Sequence, residues 1–336
     1  MVVQKDTITV TGLKPLYSEW STIKPYLPPM PPEDITFDMP FVRVRSKPAF
    51  EGEKCLRVVA FHGMPGNGEH FQALGEALAE TCNVDFIAPT FPDLKFTLEK
   101  RAFWQSTEER LALLEVFLKA IDVRDVDISI GHSTGGWAAV NMSLGVGNLK
   151  SRSFCLVCTN IPRFIRYIGP KWFQGNLCRA LHYKFMEPLV VLAYELIIST
   201  FRLRRKMTAF DAMSSAFPQY AMRYWEEQNA PRSIREAVEK GVPRMMVYGG
   251  RDYLLKLEFS HLLASDLGNP DPKNHYTYEG KEDKQLKLIQ QPQDDSDLPI
   301  TVHFTQGGHH CYQQYPETMA KHLLQLANRA DLFHQE

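Results

Sequence analysis

The chain has 336 residues, 44% of them hydrophobic, and its 38 basic and 39 acidic side chains leave a net charge of -1. That length can bury one large core or two smaller ones, and the near-neutral balance carries no electrostatic footprint for nucleic acid. The six cysteines are scattered; Cys155 and Cys158 sit in the apolar run Phe154-Cys-Leu-Val-Cys158, and no second such pair exists to complete a zinc site. They read as small buried hydrophobes rather than as a redox pair or metal ligands. The first residues, Met1-Val-Val-Gln-Lys-Asp-Thr-Ile8, hold neither an apolar signal core nor an arginine-rich leader, which points to the cytosol, where free thiols persist.

Residues 1–50 alternate like strands over Thr7–Thr11 and Phe37–Val44, with the stiff connector Pro25-Tyr-Leu-Pro-Pro-Met-Pro-Pro32 between them. Cys55–Phe61 is a predicted strand, followed at once by His62-Gly63-Met64-Pro65-Gly66-Asn67-Gly68. Glycines just past a strand let backbone amides approach a ligand, and neither nucleotide-loop pattern is present. A helix is predicted over Glu69–Glu80, a strand over Val84–Pro89 and a loop over Thr90–Thr97. Ser106-x-x-Glu109 is a capping box opening a helix through Ile121.

A strand then leads into Gly131-His-Ser133-Thr-Gly135, and a helix is predicted to run on to Leu144. A strand turning sharply into a helix presents one residue at its apex, and a serine there exposes its hydroxyl. The next amide faces any negative charge forming nearby. Ser153–Thr159 is another strand.

Residues 161–241 interrupt the alternation with a helical, aromatic and basic stretch. Its most apolar run, Leu189–Phe201, precedes Arg202, Arg204, Arg205 and Lys206. The run is short of the roughly 20 residues a membrane span needs, and a buried cap helix is preferred over one lying on a membrane surface. Strand character returns at Pro243–Gly249, followed by Gly250-Arg-Asp252. Phe259–Leu267 is helical, 269–298 reads as a polar surface excursion, and Ile300–Phe304 is the last strand. Gln306-Gly-Gly-His309-His310-Cys311 follows it, and a final helix opens at Pro316. Strands alternating with helices imply a mostly parallel sheet covered on both faces, with ligands beyond the carboxyl ends of its strands.

Ser133, Asp252 and His309 or His310 therefore all fall at strand ends, in the chain order serine, acid, histidine. With His62-Gly63, Gly131-His-Ser-Thr-Gly135, Gly249-Gly-Arg-Asp252 and Gly307-Gly-His309 seven residues before Pro316, the chain resembles the α/β-hydrolase superfamily of serine type over about 54–160 and 242–330. More narrowly it is similar to a group of uncharacterised nematode α/β-hydrolase-like proteins. The resemblance implies a core of 1–160 and 242–336 with a helical cap at 161–241, Ser133 as nucleophile, Asp252 as acid and His309 as base. It also implies the amides of Met64 and Thr134 as oxyanion donors, and no cofactor or metal. The apolar run 189–201, with Trp172 and Phe173 nearby in sequence, predicts an apolar cap pocket, so the expected partner is a small-molecule acyl substrate with a medium or long chain. A serine at the elbow argues against the haloalkane dehalogenases and epoxide hydrolases of this fold, which resemble an aspartate-nucleophile pattern. Thr90-Phe-Pro-Asp93-Leu departs from the Asp-x-x-Gly of many relatives, which puts the part this loop plays in the pocket in question. Two other readings compete: a binding protein that kept the fold without efficient turnover, and a membrane-associated lipid hydrolase resting on 189–206.

Overall fold

The apolar runs of the sequence become strands buried on both faces, as the centre of a parallel sheet requires. They are β3 (Leu56–Phe61), β4 (Val84–Pro89), β5 (Val126–His132), β6 (Ser151–Val157), β7 (Arg244–Gly249) and β10 (Ile300–Phe304). With β1 (Val2–Val10), β2 (Phe37–Arg45), β8 (Tyr276–Glu279) and β9 (Lys287–Gln290), they form one ten-stranded sheet in the order β1-β2-β4-β3-β5-β6-β7-β10-β8-β9. From β4 to β8 neighbouring strands are parallel; β1, β2 and β9 run antiparallel at the two edges. This computed structural model describes residues 1–12, 34, 36–47, 54–64, 66–92, 106–146, 148–159, 176, 180, 183–200, 227–293 and 299–333.

Side chains alternate across the sheet and divide the interior into two cores. On one face, Val59, Phe61, Leu156 and Tyr248 meet helices α2 (Thr107–Ala120), α3 (Gly136–Ser143), α5 (Glu227–Glu239) and α6 (Leu257–Asp266). On the other, Val58, Ala60, Ile128 and Val302 meet α1 (Gln72–Ala79) and α7 (Pro316–Arg329), the latter through Met319, Leu323 and Leu326. The predicted capping box closes α2 in both directions. Ser106 Oγ accepts from Glu109 N at 3.3 Å, and Ser106 N donates to Glu109 Oε2 at 2.9 Å.

Three expectations change. The 269–298 segment is no mere excursion: it carries β8, which pairs with β10, and β9, which pairs with β8. Asn269, His275 and Tyr276 are buried there, and the charges that made the stretch read as surface lie around the exposed edge. The end of the expected cap also belongs to the core, because α5 buries Ala230, Ile234 and Ala237 at helical spacing against the α2–α3 face. Lastly, α4 (Glu187–Thr200) is helical but not a buried element. Val190 is buried, whereas Leu189, Leu192 and Leu196 are 57%, 52% and 61% exposed. No described helix is long and apolar enough to cross a membrane. The connector at 25–32, most of the rest of the expected cap, including Trp172, Phe173 and the basic run 202–206, and the loop beyond residue 92 lie outside the described residues.

Candidate active site

Register brings the motifs to one edge. Phe61 pairs with Gly131 and His132 with Val157, so the residues after β3, β5 and β6 leave the sheet side by side. Phe304 pairs with Gly249, which does the same for the exits of β7 and β10.

Ser133 sits at φ 51°, a left-handed value uncommon for any residue but glycine. It opens a single 3-10 turn, Ser133–Gly135, that runs into α3, so the Thr134 amide lies in a first turn, where helical N–H groups lack an acceptor within the helix. The elbow is tight because its glycines touch backbone: a Cβ on Gly135 would run into the Phe61 carbonyl, and one on Gly131 into Gly135 and Gly136. Gly63 passes equally close from β3; a Cβ there would lie 2.8 Å from Ser133 Cβ and 3.0 Å from His132 Nδ1. Met64, the next residue, follows directly from that approach. Thr134 Oγ1 is buried and has no hydrogen-bond partner among the described residues.

His62 anchors that loop. Its Nδ1 lies 2.7 Å from Gly63 O, and its Nε2 accepts from Phe91 N at 2.9 Å. Those partners require the neutral ring with its proton on Nδ1. Burial, then the nearby Arg110 cation, lowers the His62 pKa to about 3. Arg110 itself is buried and donates to His62 O at 3.1 Å. The loop that departs from the relatives' pattern therefore does have a part here, since Phe91 supplies the amide that holds His62 and stacks its ring on Phe61.

Asp252 and His309 meet at the far side of the elbow. Asp252 Oδ1 accepts from Leu254 N at 2.8 Å and from Leu255 N at 3.1 Å, leaving Oδ2 for His309 Nδ1 at 2.7 Å. The two side chains are 2% and 5% exposed. The two loops are also tied to each other, with Arg251 N donating to Gly307 O at 2.9 Å and Gly250 N to Phe304 O at 2.8 Å. His309, not His310, reaches Asp252. His310 lies 3.4 Å from Tyr312 Oη, and burial lowers its pKa to about 4, with His309 and His70 adding to the effect. His309 Nε2 carries no hydrogen bond among the described residues, to the Ser133 hydroxyl or to any other group; catalytic hydrogen bonds of this kind are often long or poorly aligned without substrate.

Sequence reasoning did not single out His132, and it read Cys158 only as a small buried hydrophobe. His132 is the variable residue of the Gly-x-Ser-x-Gly pattern, so nothing in the motif marks it, yet its Nε2 donates to His309 O at 3.0 Å. The bond straps the β10 loop to the residue beside Ser133. Burial, with His309 and His310 nearby, holds the His132 pKa well below its ordinary value, so the strap is neutral. Cys158, at φ 45°, is the first residue past β6. The strand-end rule that found Asp252 would have found it too.

A family model described as an alpha/beta hydrolase of unknown function matches residues 40–327. The chain belongs to that family. Among solved structures it is similar to a thermophilic esterase from Thermogutta terrifontis, with a TM-score of 0.56 and 14% identity over 97% of this chain and 99% of that one. The haloalkane dehalogenase DbeA from Bradyrhizobium elkani aligns with a TM-score of 0.56 and 10% identity over 98% of this chain and all of its own (100%). A thioesterase domain from the curacin biosynthetic pathway gives 0.53 and 14% over 86% and 95%. At these identities the likeness is one of fold. No curated protein sequence matches the chain.

Proposed function

We propose that the protein is a serine hydrolase that cleaves an ester, thioester or related acyl bond. The observation that carries this is the buried 2.7 Å bond from His309 to Asp252 at the sheet edge where Ser133 stands in a strained turn. The fold shared with an esterase and a thioesterase domain agrees with it.

In this reading His309 Nε2 takes the Ser133 proton as Oγ bonds to the acyl carbon. The carbonyl oxygen becomes an oxyanion facing the amides of Met64 and Thr134, each such donor contributing about 3 kcal/mol in comparable sites. His309 returns the proton to the departing alcohol or thiol, and water, activated by the same imidazole, then releases the acid. Asp252 holds Nδ1–H and stabilises the imidazolium. We assign no cofactor to the chemistry. Five cysteines are described and all are free thiols, which agrees with a cytosolic placement.

The decisive experiment is fluorophosphonate labelling with mass mapping. Ser133 should be labelled and Ser133→Ala should not, with the fold of the variant intact. Label on Ser129 would overturn Ser133 as the nucleophile, and no label at all would return the protein to the binding-protein reading. A second reading, a lipid hydrolase that works at a membrane, is favoured by the exposed leucines of α4 with Phe185 at 75% exposure just before them. The four basic residues at 202–206 follow in sequence. Flotation with anionic liposomes tests it; protein that stays at the bottom of the gradient removes it.

A further inference from the structure

Cys158 opens onto the same edge as Ser133, Asp252 and His309, and the chemistry above makes no use of it. Its left-handed backbone sends the thiol toward the exits of β7 and β10. There Sγ lies 3.4 Å from Cys311 Sγ and 3.7 Å from Gly308 O. Cys158 Sγ, a carboxylate oxygen of Asp252 and a ring nitrogen of His309 all lie within 4.8 Å of one another, the one such group of potential ligands among the described residues.

We propose that Cys158, Asp252 and His309 form an inhibitory site for a thiophilic divalent cation of the zinc class. Sulfur, imidazole nitrogen and carboxylate oxygen are the three donor types that zinc accepts, at about 2.0–2.3 Å each. Charge favours the assembly: a dication with one thiolate and one carboxylate is neutral, so closing it away from water strands no net charge. The atoms need only modest movement. Tetrahedral ligands around zinc stand about 3.5 Å apart, so the thiol closes in while the 2.7 Å Asp252–His309 contact opens to admit the cation.

Proton balance gives the effect on activity. Cys158 loses its proton to solvent. His309, bound through the Nδ1 that faces Asp252, keeps its one ring proton on Nε2. That nitrogen then has no lone pair for the Ser133 proton, and acylation stops while the fold stands. No oxidation or reduction is involved. The inhibitory consequence rests on the serine hydrolase reading; occupancy of the site by the metal does not.

The test uses the full chain, kept reduced, with the metal alone as probe. Zinc is titrated while the rate of fluorophosphonate labelling is followed, and in parallel cobalt(II) is added and the near-ultraviolet thiolate-to-cobalt band recorded. Labelling of the wild type should fall and return with EDTA, and the cobalt band should appear. In Cys158→Ser and Cys158→Ala, each measured against its own metal-free rate, half-inhibition should need more than about 100-fold more zinc, and the band should be lost. No band in the wild type overturns the proposal. Equal zinc sensitivity or an equal band in Cys158→Ala also overturns it, placing the cation elsewhere. If nothing labels Ser133 at all, the hydrolase reading fails and the cobalt band alone decides the metal site.

Discussion

Acid should destabilise this fold through His62, and the size of the effect follows from its surroundings. The ring is buried and spends both nitrogens as a neutral group, Nδ1–H toward Gly63 O and Nε2 as acceptor for Phe91 N–H. A proton on Nε2 would set two donors against each other next to the Arg110 cation. The folded pKa is accordingly about 3 against an ordinary 6.5. Because the folded value is the lower one, the unfolded chain takes up the proton first. The contribution of His62 is therefore fully present above about pH 7 and is lost as pH falls from about 6.5 toward about 3.

A gap of about 3.5 units corresponds to roughly 5 kcal/mol at the acid limit, and at pH 5, some 1.5 units below the unfolded value, to about 2 kcal/mol. His132, His303 and His310 are shifted the same way, so total acid sensitivity will exceed this. His62→Gln isolates the term, since an amide can accept from Phe91 and donate to Gly63 without titrating. Urea unfolding followed by tryptophan fluorescence, at pH 7.5 and pH 5, should show the advantage of wild type over His62→Gln shrinking by about 2 kcal/mol at the lower pH. A change below about 0.5 kcal/mol, within the error of the extrapolation, would refute the neutral, doubly bonded ring.

Three further outcomes follow from the site. Asp252→Asn should lower kcat by about 10⁴-fold, because His309 loses control of its tautomer; near-normal turnover would take the acid role away from Asp252. Under single-turnover conditions His309→Ala should abolish acylation while His310→Ala keeps most of it, and the reverse result would transfer the base to His310. Gly135→Ala should destabilise the protein by at least about 2 kcal/mol, read as a lower denaturant midpoint, since the added Cβ meets the Phe61 carbonyl rather than a side chain that can move aside.

The parts of the fold legible in the sequence are those where one physical demand selects the residue type. A strained elbow packed against backbone needs its glycines, so Gly131 and Gly135 marked the turn around Ser133. Parallel strands buried on both faces need unbroken apolar runs, so β3 to β7 were visible. The misread stretches are those where composition and environment part. Asn269 is a polar residue in a charged segment, yet it is buried and its Nδ2 donates to Asn274 O, Pro299 O and Thr301 Oγ1, fastening the start of that segment beneath β10. A polar residue that works as an internal strap reads as loop. The four residues of β8 offer too little alternation to correct the impression. In α4 the error runs the other way: a helix apolar all round reads as buried, yet its leucines face outward.

The choice between His309 and His310 shows how far glycines reach beyond their own turns. Gly249 ends β7 opposite Phe304, and a Cβ on it would strike the carbonyl of Gly307. Only because position 249 lacks that atom can the two exit loops lie against each other and exchange the bonds from Gly250 to Phe304 and from Arg251 to Gly307. Those two bonds fix how far each chain has run when it leaves the sheet, so the acid three residues past Gly249 and the imidazole two past Gly307 arrive at the same depth. A slip of one residue would present His310 to Asp252 and send His309 toward Tyr312, exchanging a buried paired ring for one held only by aromatic neighbours. The strap from His132 to the His309 carbonyl opposes that slip from the third strand end. The distance from Asp252 to His309 is thus set by strand register, and it holds whether or not the serine is engaged.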